Sequence, residues 1–276
     1  MLVPMEPPET TRSAAFFDLD KTIIARSSTL AFSRPFYAGG LINRRTVLRS
    51  AYAQFMYLLG GADHDQMERM REYLSAMCTG WDVETVRAIV ADTLHHIVEP
   101  MIYAEAVTLI EQHRAAGRDV VIVSSSGAEV VEPIGAMVGA DKVIATRMVV
   151  ADGKYTGEIS EYAYGPHKAT AIVALAAAEG YDLQESYGYS DSITDEPMLA
   201  AVGHPFAVNP DKALRRLAIS RDWPVLDFSK PVALAERARF TEVRRPAVAA
   251  TVVGAGLAAA GVLLYAARRR AKPAGS

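Results

Sequence analysis

The run Asp119-Val120-Val121-Ile122-Val123 is short, β-branched and apolar on both alternating faces. A strand of that kind has to be covered on both sides, as in a parallel sheet packed between helices. Related short runs recur at Ala14 to Phe17, Lys142 to Ala145, Glu185 to Tyr189, Phe206 to Val208 and Val225 to Phe228. Helical patterns separate them, including a helix opened by Glu99-Pro100 and closed at Gly117, and another over about His167 to Glu179. Alternation of this sort predicts an α/β fold with a doubly wound parallel sheet. Met148 to Ile159 reads as a hairpin turning at Asp152-Gly153.

The stretch from about Ser28 to His96 breaks the rhythm. It reads as helical, with Tyr52, Phe55, Met56 and Leu59 at helical spacing and Asp82 as the N-cap of a helix over Val83 to His96. The expected organisation is therefore a disordered lead-in at 1–13, a catalytic core at 14–27 and 98–230, and an inserted helical cap at 28–97. A linker at 231–246 follows, then a single apolar helix at 247–267 and a basic tail at 268–276. The helix, Ala247 to Ala267, has no charged residue and is flanked by Arg244, Arg245, Arg268, Arg269, Arg270 and Lys272. It would extend about 32 Å, enough for a bilayer core. The expectation is a transmembrane anchor, with a buried Ala-rich helix as the alternative. Gly254-x-x-x-Ala258 leaves homodimerisation through that helix open. With no secretory signal at the N-terminus, the catalytic part is expected to be cytoplasmic. A formal net charge of -3 gives no case for nucleic acid as a partner, and Cys78 alone cannot form an internal disulfide. His95, His96, His113, His167 and His204 lack metal-ligand spacing and read as structural or surface residues.

Ligands of open α/β sheets bind at the carboxyl ends of the strands. After the first strand come Asp18, Asp20 and Thr22; after the second, Ser124, Ser125 and Ser126. Lys168 opens a later helix, and Ser190-Asp191-Ser192-Ile193-Thr194-Asp195 follows another strand. Taken singly, paired acids are a solvated turn, serines a loop and a lysine a surface charge. Their joint arrival at strand ends is the informative observation. Asp18 and Asp20 share a face, and Asp191 would complete an oxygen-only site suited to Mg²⁺.

This arrangement resembles the haloacid dehalogenase superfamily of phosphohydrolases, with its Rossmann-like core, and within it the phosphoserine-phosphatase-like branch, subfamily IB. The resemblance spans roughly Ala14 to Phe228. It implies Asp18 as the nucleophile that forms an aspartyl-phosphate, and Asp20 as general acid and then base. The cofactor implied is Mg²⁺, held by Asp18, Asp191 and the Asp20 carbonyl. Thr22, Ser124, Ser125, Lys168 and Thr194 are implied in phosphate binding, with Lys168 also catalytic and Asp195 orienting either Lys168 or a metal-bound water. Phosphoserine phosphatases carry a Glu five residues after the motif threonine; Ser27 stands there in this chain, among Arg26, Arg34, Arg44, Arg45 and Arg49. The expected substrate is accordingly not phosphoserine but an anionic or lipid phosphomonoester. Two alternatives stay open: phosphotransfer to an alcohol, and a membrane-tethered phospholigand-binding regulator with little turnover.

Overall fold

A computed structural model describes residues 12–42, 72, 75–229 and 231. Of the sequence expectations, the helical positions Tyr52, Phe55, Met56 and Leu59, most of the lead-in and linker, the apolar helix at 247–267 and the basic tail lie outside the described residues. Among the described residues no helix is long and apolar enough to cross a membrane.

The centre of the fold is a seven-stranded sheet. Its strands are β1 (Ala14–Phe17), β2 (Asp119–Gly127), β3 (Lys142–Ala151), β4 (Lys154–Glu161), β5 (Tyr187–Ser190), β6 (His204–Val208) and β7 (Val225–Leu226), in the order β4-β3-β2-β1-β5-β6-β7. All neighbours pair in parallel except β3 and β4. Helices among the described residues include α1 (Ser28–Ala38), α2 (Val83–Ile97), α3 (Ala104–Ala115), α4 (Ala128–Val138), α5 (Pro166–Glu179), α6 (Glu196–Ala200) and α7 (Lys212–Ser220).

Strand periodicity divides the core between two faces. Ala15, Phe17, Val120 and Ile122 pack with α2, α3 and α4 through Val90, Ile110, Val131 and Ile134. Ala14, Phe16, Val121 and Val123 pack with α5, α6 and α7 through Ile172, Leu199 and Leu214. The α/β doubly wound architecture is thus as the short β-branched runs predict.

One element differs from the sequence reading. The helix expected from Glu99 to Gly117 is a 3₁₀ turn over Glu99–Met101, then extended backbone at Ile102 and Tyr103, then α3. The break is tertiary in origin. Tyr103 N donates to Ile23 O (2.9 Å) and Ala25 N to Met101 O (2.8 Å), so this backbone pairs with the segment leaving the first strand. Gly117, with φ of 75°, still terminates α3 in the left-handed conformation glycine favours.

The hairpin of β3 and β4 turns at Asp152 and Gly153, both at positive φ (49° and 75°), as a two-residue hairpin requires. Its outer edge is occupied by the segment before α2. Gly80 N donates to Tyr155 O (2.8 Å), Tyr155 N to Trp81 O (3.0 Å) and Val83 N to Gly153 O (3.0 Å). Residues 80–83 therefore extend the hairpin by a short antiparallel rung and close an edge that would otherwise expose unpaired backbone. Asp82 caps α2 by accepting from Thr85 N at 2.7 Å.

Candidate active site

Ala14–Phe17 is wholly buried, and the chain leaves the sheet at Asp18. Asp18 N donates to Tyr189 O at 2.9 Å, which fixes the first residue beyond β1 against the neighbouring strand β5. The backbone then folds sharply: Ile23 N and Ile24 N both donate to Leu19 O, at 2.9 and 3.1 Å. Leu19, Ile23 and Ile24 point into the core. That leaves Asp18 and Asp20 at the carboxyl edge of the sheet, flanked by apolar residues that hold the turn in place.

Lys168 reaches the same edge from the first turn of α5. Pro166 starts that helix without a missing hydrogen bond, since its first N–H groups are free in any case. Lys168 Nζ donates to Asp18 Oδ1 (2.6 Å) and Asp195 Oδ2 (2.7 Å), and the lysine side chain is only 3% exposed. Ser190 Oγ also donates to Asp195 Oδ2, at 2.7 Å. A buried ammonium is costly unless paired. Burial works against the charged form of Lys168, but Asp18 and Asp195 outweigh it and raise its pKa.

Burial raises the Asp18 pKa well above the usual range; Lys168 opposes this, while Asp195, Asp191 and Asp20 add to it. Burial also raises Asp20, partly offset by Ser28, whose backbone N donates to Asp20 Oδ1 at 2.8 Å. Asp191, at the end of β5, is pushed up to about 6 by burial, with Lys21 working the other way. Lys21 Nζ stands 3.6 Å from Asp191 Oδ2.

Other residues of interest lie nearby. Ser124, Ser125 and Ser126 lie within β2, which pairs with β3 as far as Gly127, and not beyond the strand as the sequence pattern predicts; Ser124 is buried and its Oγ accepts from Ser126 N at 3.2 Å. Ser126 Oγ and Ser28 Oγ are 2.7 Å apart, which links the last residues of β2 to the first turn of α1. Ser125 is half-buried and its carbonyl accepts from Thr146 Oγ1 (2.8 Å). Thr194 Oγ1 lies 3.0 Å from Ser192 Oγ in the 3₁₀ turn Ile193–Asp195. Thr22 Oγ1 is buried and has no hydrogen-bond partner among the described residues.

Of the residues singled out from the sequence, the structure brings Asp18, Lys168 and Asp195 into direct contact. Asp20 is tied to Ser28 and Asp191 to Lys21. Thr194 shows only its contact with Ser192. Sequence reasoning passed over Lys21, Ser28 and Ser190. Ser190 could have been found, because it immediately precedes Asp191 and closes a strand. Lys21 and Ser28 are visible only once the turn has folded.

The donor set fits a divalent cation. Asp18 and Asp191 offer hard carboxylate oxygens just beyond adjacent strands, their pKa values raised chiefly by burial and further by neighbouring carboxylates. No group of three or more His, Cys, Asp or Glu side chains is placed to hold a metal among the described residues. Two carboxylates and one carbonyl are sufficient for Mg²⁺, which retains several waters.

Comparison with known proteins agrees with the fold and gives the family. The haloacid dehalogenase-like hydrolase family model matches residues 15–200. A protein of Streptomyces azureus described as an inhibition of morphological differentiation protein is 64% identical over 99% of this chain and 100% of its own length. A probable phosphatase of Mycobacterium tuberculosis is 59% identical over 96% of this chain and 94% of its own. Among solved structures, a Bordetella pertussis protein of unknown function aligns with a TM-score of 0.71 at 28% identity, covering 79% of this chain and 99% of that one. A substrate-bound phosphoserine phosphatase shares the fold, with a TM-score of 0.58 at 19% identity over 84% of this chain and 99% of its own.

Proposed function

This chain belongs to the haloacid dehalogenase-like hydrolases and is a phosphatase of that family, and from that premise we propose a Mg²⁺-dependent phosphomonoester hydrolase that works through an aspartyl-phosphate on Asp18. The observation that carries the reading is Lys168 Nζ, buried and held at 2.6 Å from Asp18 and 2.7 Å from Asp195. A fixed cation beside a carboxylate at a strand end is what an in-line attack on a phosphate requires.

In the first half-reaction a carboxylate oxygen of Asp18 attacks phosphorus and the bond to the leaving oxygen breaks. Asp20 gives its proton to that oxygen. Its raised pKa favours the protonated form, and the Ser28 backbone N–H holds its other face. In the second half-reaction the Asp20 carboxylate takes a proton from water, which attacks phosphorus. The bond to Asp18 breaks, and inorganic phosphate leaves. Throughout, Lys168 neutralises charge gathering on the transferred group, and Asp195 with Ser190 keeps its side chain from turning away. Mg²⁺, held by the Asp18 and Asp191 carboxylates and the Asp20 carbonyl, would supply the positive charge that keeps Asp18 ionised and draws in a dianionic phosphate.

Ser124, Ser125, Thr22 and Thr194 are proposed to bind phosphate oxygens. The buried, unpartnered Thr22 hydroxyl supports that role best. Ser27 precedes α1 with no carboxylate to meet a substrate ammonium, so the substrate is proposed to be an anionic or lipid phosphomonoester rather than phosphoserine. The apolar run at 247–267 is proposed as a membrane anchor with the catalytic part on the cytoplasmic side. Recovery of the full chain in the soluble fraction without detergent would count against it.

The test of function is phosphate release by the full chain from soluble and lipid phosphomonoesters, with and without Mg²⁺. Asp18→Asn is expected to lower kcat by at least about 10³-fold, and Asp20→Asn by about 10²- to 10⁴-fold. Wild-type turnover by Asp18→Asn would refute the mechanism. Transfer to an added alcohol in place of water would move the reading to a phosphotransferase.

A further inference from the structure

Four non-glycine residues among those described have positive φ: Lys21, Asp152, Asn209 and Asp222. Three are Asp or Asn, whose short side chains tolerate the left-handed region. Lys21, at φ of 58°, has no such excuse. Glycine would relieve the backbone there, and an outlier beside reactive groups points to use of the side chain.

The side chain leads to Asp191. The 3.6 Å separation of Lys21 Nζ from Asp191 Oδ2 is an ion pair without a close hydrogen bond. The lysine is 63% exposed and the aspartate 10%. Lys21 is the ion-pair partner of Asp191 among the described residues, whereas Lys168 is buried and locked between two carboxylates. The site thus has one buried ammonium held between two carboxylates and one exposed at its rim.

We propose that Lys21 is a substrate-side cation of the site. Its ammonium competes with a divalent cation for the Asp191 carboxylate and attracts an oxygen of the phosphate group. The proposal rests on the metal and phosphate reading given above. It predicts that Lys21 opposes one ligand and favours the other, since a cation competes with Mg²⁺ for Asp191 and attracts phosphate.

The experiment uses the full-length chain and its Lys21→Gly variant, with isothermal titration of Mg²⁺ alone and then of inorganic phosphate at saturating Mg²⁺. Loss of the charge should tighten Mg²⁺ by about three- to tenfold and weaken phosphate by a similar factor. Lys21→Arg should keep the wild-type order. A structural lesion would weaken both ligands together, which would overturn the proposal, as would unchanged affinities. Asp191→Asn separates the two readings. If it loses Mg²⁺ while Lys21→Gly behaves as wild type, only the role of Lys21 falls. If Asp191→Asn binds Mg²⁺ as wild type does, the cation site itself is refuted.

Discussion

His113 is the clearest case of a residue whose chemistry depends on where the fold puts it. Its Nδ1 accepts from Arg118 Nε at 2.8 Å, so Nε2 carries the proton toward Tyr189 OH, also at 2.8 Å. Burial, and then the Arg118 charge, lower its pKa to about 4. Below pH 6.5 the unfolded chain takes up a proton at this histidine that the folded chain refuses until about pH 4. His113 therefore contributes full stability above pH 6.5, and loses on the order of 3 kcal/mol of it as pH falls toward 4. The raised Asp18, Asp20 and Asp191 act with the opposite sign, since they bind protons more readily when folded. The comparison is thus between variant and wild type: His113→Gln should flatten the acid limb of urea unfolding midpoints between pH 7 and 4.5. An unchanged slope would contradict the buried neutral imidazole. Sequence gave no means of choosing between core and surface for His113, because burial follows from the aromatic side chains of β1 and β5 around it. Asp18 and Asp20 were legible only together with Ser124, Lys168 and Asp191, because polar groups from four separate segments arrive at one edge of the sheet. Lys21 was not, because a lysine in a loop is ordinary until its φ is known.

Elements were legible to the extent that local chemistry decides them. Asp82 caps α2, and Asp152-Gly153 turns the hairpin, as their residue types direct. The 99–117 segment was misread because Pro100 followed by apolar residues fits the start of a helix, while pairing of Ile102 and Tyr103 with the first-strand loop overrides that preference. The hairpin shows how a local turn acquires a distant role. Gly153 O accepts from Val83 N, so the turn geometry also sets the attachment of the segment leading into α2. Gly153→Val forces a β-branched residue to φ of 75° and should cost about 1–2 kcal/mol, read as a lower urea midpoint. Amide exchange at Gly80 and Val83 should accelerate more than exchange in β1. Equal protection of Gly80 and Val83 in Gly153→Val and wild type would show that residues 80–83 are held by packing and not by the hairpin backbone.

At the scale of the whole molecule, buried charge and fold stability are coupled. Asp18, Asp191 and Asp195 are buried at one sheet edge with a single buried lysine between two of them. A divalent cation that binds only the folded chain should stabilise it by mass action, about 2.7 kcal/mol at a hundredfold excess over Kd. For a unit of this size that corresponds to roughly 5–10 °C in Tm, measurable by calorimetry on the full chain. Asp191→Asn should abolish the shift; a shift of equal size in that variant would place the cation elsewhere.

The strand order has a consequence for how the protein comes into being. β1 lies at the centre of the sheet, yet its neighbours β2 and β5 begin at Asp119 and Tyr187, far later in the chain. The first strand emerges from the ribosome with both its edges unfilled. The backbone that receives the Asp18 amide is made only after residue 189. Long-range parallel pairing is slow to form and leaves such edges open to wrong partners meanwhile. Activity should therefore be the last property the chain acquires on refolding, trailing the helical signal of α3 and α4 and appearing in step with the closure of β1 between its two late neighbours.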